Sequence, residues 1–227
     1  MLSLLALPLF LPGSAWAREK LFVFYPSLVR PIVIQDALAK KCPGLEVTVF
    51  GRQADFQAMV EKERPQAILA QAPVLRQYPD YPLKLQGMRN GTATEPYVLL
   101  SIDNPIDKGR MDTLTLGVVG MLERKEMARF VGDLMPGTSR INRVTKVEDL
   151  LPLLIFHSAA AVLVSETNMR ELQKKSQARL VATILENGRV GLMALGIREE
   201  PRMEEITKAI KALPAGDAML LGVDAWK

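Results

Sequence analysis

The feature that most narrows the fold is an alternation of short apolar runs with helix-forming segments. Leu21-Phe22-Val23-Phe24 is a short apolar run, stopped by Tyr25-Pro26-Ser27. A helix-compatible segment follows over residues 29–40, with Pro31 in its first turn, where the missing N–H costs little. Pro43-Gly44 breaks the chain, and Glu46-Val47-Thr48-Val49-Phe50 is a second strand rich in β-branched residues. Gly51-Arg52-Gln53 leads into an amphipathic helix over residues 54–63, with Phe56, Met59 and Val60 on one face. Pro65 ends it and Ala67-Ile68-Leu69-Ala70 is a third strand. The order βαβαβ predicts a parallel sheet with helices packed on it.

A second cycle follows a turn-rich link, Tyr78-Pro79-Asp80-Tyr81-Pro82. Strands are expected at 83–87, 97–102, 113–119, 141–144, 160–164, 180–185 and 192–197. Helices are expected at 122–134, 150–156, 168–175 and 202–212. The chain is long enough for two small lobes, and the pattern predicts two α/β halves of similar grammar without a residue-level repeat.

Residues 1–17 form an apolar stretch ending in Ala15-Trp16-Ala17, directly before Arg18-Glu19-Lys20. Small residues at an Ala-x-Ala site suit signal peptidase, and the stretch is too short to span a bilayer. It is expected to be a cleaved export signal, although no Lys or Arg precedes Arg18. Cys42 is the single cysteine, so no internal disulfide forms and the fold stands on its core. It lies away from the cleavage site, which argues against a lipid anchor. The net charge of +4 is scattered rather than gathered into a basic stripe interleaved with aromatics, so nucleic acid is not the expected partner.

Enzyme chemistry finds little support. His157 is the single histidine and stands at an expected helix end, where it complements the helix dipole. One His and one Cys do not make an ordinary zinc site, the methionines are dispersed, and no Gly-rich phosphate loop is present. Glu199-Glu200 and Glu204-Glu205 flank a helix start, where acids are expected on electrostatic grounds. No catalytic residue, metal or cofactor is assigned.

Three segments carry a resemblance: Leu21 to Ser27; Val147-Glu148-Asp149-Leu150-Leu151-Pro152-Leu153-Leu154 with Ala159 to Val164 after it; and Leu221-Gly222-Val223-Asp224-Ala225-Trp226. Together with the export signal and the two α/β halves, they resemble the type 2 periplasmic solute-binding proteins. Within these, the chain resembles the phosphate/phosphonate-type branch of ABC-transporter substrate-binding proteins. The resemblance implies two lobes with mixed sheets, helices on both faces and a ligand cleft between the lobes. It implies one lobe from residues 18–96 and 190–227, a second from 97–189, and hinge strands at 97–102 and 192–197. It implies a periplasmic monomer that captures a small ligand for an inner-membrane ABC permease. A sensory or adaptor module acting on a membrane or receptor partner is the alternative.

Ligands of such folds gather at the carboxyl ends of strands. The positions expected there are Tyr25, Ser27, Arg52, Gln71, Glu95, Met121, Thr145, Ser165, Glu166 and Thr167. Arg52 suits an anion, since a guanidinium grips carboxylate or phosphate bidentately, although a surface Arg beside a turn looks the same. Ser27, Ser165 and Thr167 equally suit helix caps. One segment departs from the phosphate and phosphonate pattern. Where that branch carries a Ser/Thr-rich loop, this chain has Val118-Val119-Gly120-Met121-Leu122-Glu123. The hydroxyls are gone and Glu123 repels a dianion. A less charged or partly apolar solute is expected, or a protein partner.

Overall fold

The computed structural model describes residues 18–135, 137, 140–198 and 203–227. The export-signal segment and Glu199-Glu200 lie outside the described residues. The elements run β1 (Glu19–Phe24), α1 (Pro31–Lys41), β2 (Leu45–Phe50), α2 (Gln53–Glu63), β3 (Ala67–Gln71), α3 (Ala72–Leu75), β4 (Leu83–Met88) and β5 (Thr94–Ile102). They continue with β6 (Thr115–Val119), α4 (Arg124–Leu134), β7 (Arg140–Val144), α5 (Leu150–Ile155), β8 (Ala161–Ser165), α6 (Glu166–Lys175) and β9 (Leu180–Gly191). The chain closes with β10 (Met193–Ile197), α7 (Met203–Lys211), α8 (Ala215–Ala218) and β11 (Ala225–Trp226).

Two mixed sheets result. The first has the order β11-β4-β10-β3-β1-β2 and the second β7-β6-β8-β5-β9. In the first, β1 pairs parallel with β2 and β3, while β10 is antiparallel to β3 and β4. In the second, β6 is parallel to β7 and β8, while β5 is antiparallel to β8 and β9.

The two-residue period of a strand sorts the side chains of β1 and β3 to opposite faces. Leu21, Val23 and Leu69 join Ile34 and Leu38 of α1 and Ile206 and Ile210 of α7 in one core. Phe22, Phe24, Ile68 and Ala70 join Phe56 and Val60 of α2 in another. Every residue of β3 is therefore buried, which explains its unbroken Ala-Ile-Leu-Ala run. The second lobe has its own core, with Val98, Leu100, Val162 and Val164 under Leu150, Leu154 and Leu172. Cys42 follows α1 as a free, buried thiol whose pKa is raised by burial.

The expected hinge strands are corrected by the sheet pairing. Residues 97–102 lie inside β5, flanked by β8 and β9, and residues 193–197 form β10 between β3 and β4. The chain instead passes between the sheets at residues 89–93 and at Leu192. Asn90 (φ 49°) and Gly91 (φ 74°) make a tight turn closed by hydrogen bonds between Arg89 and Thr92. The Leu192 N–H donates to Ala93 O at 2.9 Å, and its carbonyl accepts from Ala72 N at 3.0 Å. Apolar runs are drawn into the middle of sheets, whereas a reversal needs residues that tolerate positive φ.

Candidate functional site

The two lobes meet along the carboxyl ends of β1, β3, β6 and β8, and their facing side chains merge. Phe24, Phe56 and Val74 of the first lobe belong to one continuous buried cluster with Tyr97, Met121, Leu122 and Met127 of the second. Phe24 stacks on Phe56 with centroids 5.5 Å apart, and Tyr97 meets Phe130 edge-on at 5.9 Å. The loop 120–123 is what fills the centre, with Met121 and Leu122 both 3% exposed. The sequence places apolar side chains where hydroxyls were the alternative, and they pack inward because burial is their most favourable fate. Only about 20 Å³ of free space remains beside Pro26, Tyr97, Met121, Met127, Ser165 and Asn168.

Polar contacts fasten the lobes around this apolar centre. Asn168 Nδ2 of α6 donates to Pro26 O after β1 at 3.0 Å. Tyr97 Oη of β5 donates to Gln71 Oε1 at the end of β3 at 3.3 Å. Gln57 Nε2 of α2 donates to Glu123 Oε1, which precedes α4, at 2.9 Å. At the crossing of the chain, Thr167 Oγ1 donates to Glu95 Oε2 at 2.9 Å and accepts from Arg89 Nη1. Glu95 is 5% exposed, and burial raises its pKa against the opposing pull of Thr167, Arg89 and Ser165. Burial, and then the Glu95 charge, push the Tyr25 and Tyr97 phenols well above the ordinary range, so both stay neutral.

The expected site residues therefore fall into three groups. Tyr25, Gln71, Glu95, Ser165 and Thr167 gather around the crossing and the cleft floor, and Met121 fills the cleft centre. Among them, Ser165 is the N-cap of α6, accepting from Asn168 N at 3.2 Å, so its cap alternative holds. Thr167 bridges Arg89 and Glu95 instead of capping. Arg52 and Thr145, from opposite lobes, line a side cavity of about 300 Å³ with Arg143, and the Arg52 guanidinium is paired with Asp55 at 2.7 Å. Ser27 and Glu166 serve local structure. Ser27 Oγ sits 3.3 Å from Val29 N, and Glu166 pairs with Arg170 one turn along α6.

A larger space between the lobes was not foreseen. A cavity of about 560 Å³ opens at the mouth of the cleft, walled by α2, the segment 77–81 and the loop 121–123. Gln57, Glu61, Tyr78 and Glu123 are its distinctive residues. Its sequence signal is the spacing Gln53, Gln57, Glu61, one polar stripe along a helix face. Asn168 and Tyr97 were also missed, since each pairs with a residue on the other lobe.

No protein-family model and no curated protein matches the sequence. Solved structures do match. An ABC uptake transporter substrate-binding protein from Streptococcus pneumoniae with bound histidine superposes with TM-score 0.63 at 13% identity, covering 91% of this chain and 94% of that one. The substrate-binding protein of an amino acid ABC transporter gives TM-score 0.62 at 16% identity, with 89% and 96% covered. The fold is that of a type 2 periplasmic binding protein. A Bordetella pertussis BvgS VFT2 domain, solved as a double mutant, also gives TM-score 0.62, at 12% identity with 90% and 91% covered. These neighbours lend no support to the phosphate/phosphonate branch. Among the described residues, no helix is long and apolar enough to cross a membrane, and no group of three His, Cys, Asp or Glu could hold a metal ion.

Proposed function

We propose that this chain is a periplasmic solute-binding protein that captures a small ligand between its lobes for an inner-membrane ABC permease, acting as a monomer and without catalysis. The observation that carries this is the cavity of about 560 Å³ that both lobes build at the cleft mouth. A space of that size, made jointly by two lobes, links occupancy to the lobe arrangement, which is what a carrier needs. The structural neighbours that are ABC transporter binding proteins support the same reading, and the expected export signal is consistent with it. The lobes proposed are the two sheets with their packed helices, joined at residues 89–93 and at Leu192.

The second reading, a sensory or adaptor module, is favoured by a different observation. The centre of the cleft is occupied by the protein's own Met121, Leu122 and Met127, and a BvgS domain is among the neighbours. Melting the mature protein against amino acids, amines, organic anions and sugars separates the two. Capture of a solute raises the melting temperature progressively with ligand concentration, because binding to the native state is linked to its stability. A melting temperature unmoved by the whole panel favours the module that acts on a protein partner.

A further inference from the structure

The cavity at the cleft mouth has a definite chemical character. Its floor is apolar and aromatic: Val60, Tyr78, Tyr81, Met121 and Leu122. Tyr78 is held edge-on by Phe56 at 5.5 Å and by Tyr81 at 6.4 Å, so its ring is a fixed surface. A relay of amides runs along the wall. Gln53 Nε2 donates to Gln57 Oε1 at 2.8 Å, and Gln57 Nε2 donates both to Glu61 Oε1 at 3.0 Å and to Glu123 Oε1 at 2.9 Å. One neutral amide thus gathers two carboxylates, one from each lobe.

The charge of the wall follows from its pairings. Arg64 lies 3.6 Å from Asp80, and Arg198, which keeps its charge, donates to Arg64 O at 2.8 Å, so both guanidinium groups contact first-lobe partners. No ion pair joins Glu61 or Glu123 to a cationic side chain among the described residues. The Tyr78 phenol feels both: burial first, then Glu61 and Glu123, push its pKa up to about 12. A cation placed between two carboxylates is attracted to both. Each carboxylate spends one oxygen on Gln57, and its other oxygen has no hydrogen bond among the described residues.

We propose that this cavity binds an organic amine in its cationic form, with the ammonium between Glu61 and Glu123 and an apolar or aromatic body on Tyr78 and Leu122. The proposal rests on the solute-capture reading above and names its ligand class. An ammonium offers three donors to those carboxylate oxygens, and these charge-assisted bonds are the strong ones. The fixed Tyr78 ring adds a face to which a cation is attracted. Since the carboxylates come from opposite lobes, the ligand ties the lobes together.

Three probes with one body test this: phenethylamine, 2-phenylethanol and phenylacetate, titrated calorimetrically into the mature protein. The amine is expected to bind, with affinity falling as salt is added. Glu61→Gln and Glu123→Gln are each expected to weaken it about tenfold, the loss of one charge-assisted hydrogen bond. Glu148→Gln, an exposed acid elsewhere on the second lobe, is expected to leave it unchanged. Binding of phenylacetate or 2-phenylethanol as tight as that of the amine overturns the proposal. So does amine binding indifferent to both glutamate variants, or no amine binding while some other solute raises the melting temperature. If no solute of any charge raises it, solute capture itself is overturned.

Discussion

Glu95 is the residue at which the cleft holds the most unusual balance. It is buried where the chain crosses between lobes, hydrogen-bonded by Thr167 and near Arg89, and burial wins, leaving its pKa raised. A raised carboxyl keeps its proton in the folded state to a higher pH than in the unfolded chain. The folded state therefore binds more protons in that window, and stability falls as pH rises from about 4 through the folded pKa. Glu95→Gln keeps an acceptor for Thr167 and removes the charge. It is expected to gain stability relative to wild type as pH rises from about 4 to 7, read by urea unfolding across that range. A difference between the two proteins that stays constant with pH would remove Glu95 from this role.

At the scale of elements, the long pairing of β5 with β9 sets how the second lobe is built. Its register shifts between Pro96 and Val98, and Gly188 sits opposite that irregularity. A Cβ on Gly188 would stand 2.6 Å from Leu185 Cβ and 2.7 Å from Tyr97 O. Gly188→Ala is expected to destabilise by ~1–3 kcal/mol through forced displacement of backbone. Gly44→Ala, with nothing within 4 Å of the new methyl, serves as its control in denaturant unfolding. Most elements were legible because burial imposes alternation on strands and a stripe on helices. The 186–191 half of β9 was not, since its Glu186-Asn187-Gly188-Arg189 stretch is polar, and only residues 189–191 are paired through backbone, to residues 94–96. The crossing was misplaced for a related reason: apolar runs report burial, while Asn90-Gly91 reports the turn.

For the whole molecule, the meeting of two lobes decides what the sequence could say about the site. Strand-end positions such as Gln71 and Thr167 were singled out by the α/β rule that loops after strands face the cleft, and Glu95 as the residue before an expected hinge strand. Their partners were not, because Tyr97 and Arg89 reach them from the opposite lobe or from the crossing. The apolar Met121-Leu122 step was legible as a departure, and it fills the centre of the cleft. Glu61 and Gln57 drew no notice in the sequence, because Glu123, which shares the Gln57 amide with Glu61, comes from the other lobe. In the proposed carrier, solute binding between the lobes controls their closure. Cys42 is buried, so spin labels on cysteines introduced at Lys62 of α2 and Lys125 of α4, both exposed and on opposite lobes, report the lobe separation. Pulsed dipolar spectroscopy is expected to show a distribution that shortens and narrows when phenethylamine, or any solute that raises the melting temperature, is added. A separation unchanged by every solute that binds would rule out that coupling of occupancy to closure.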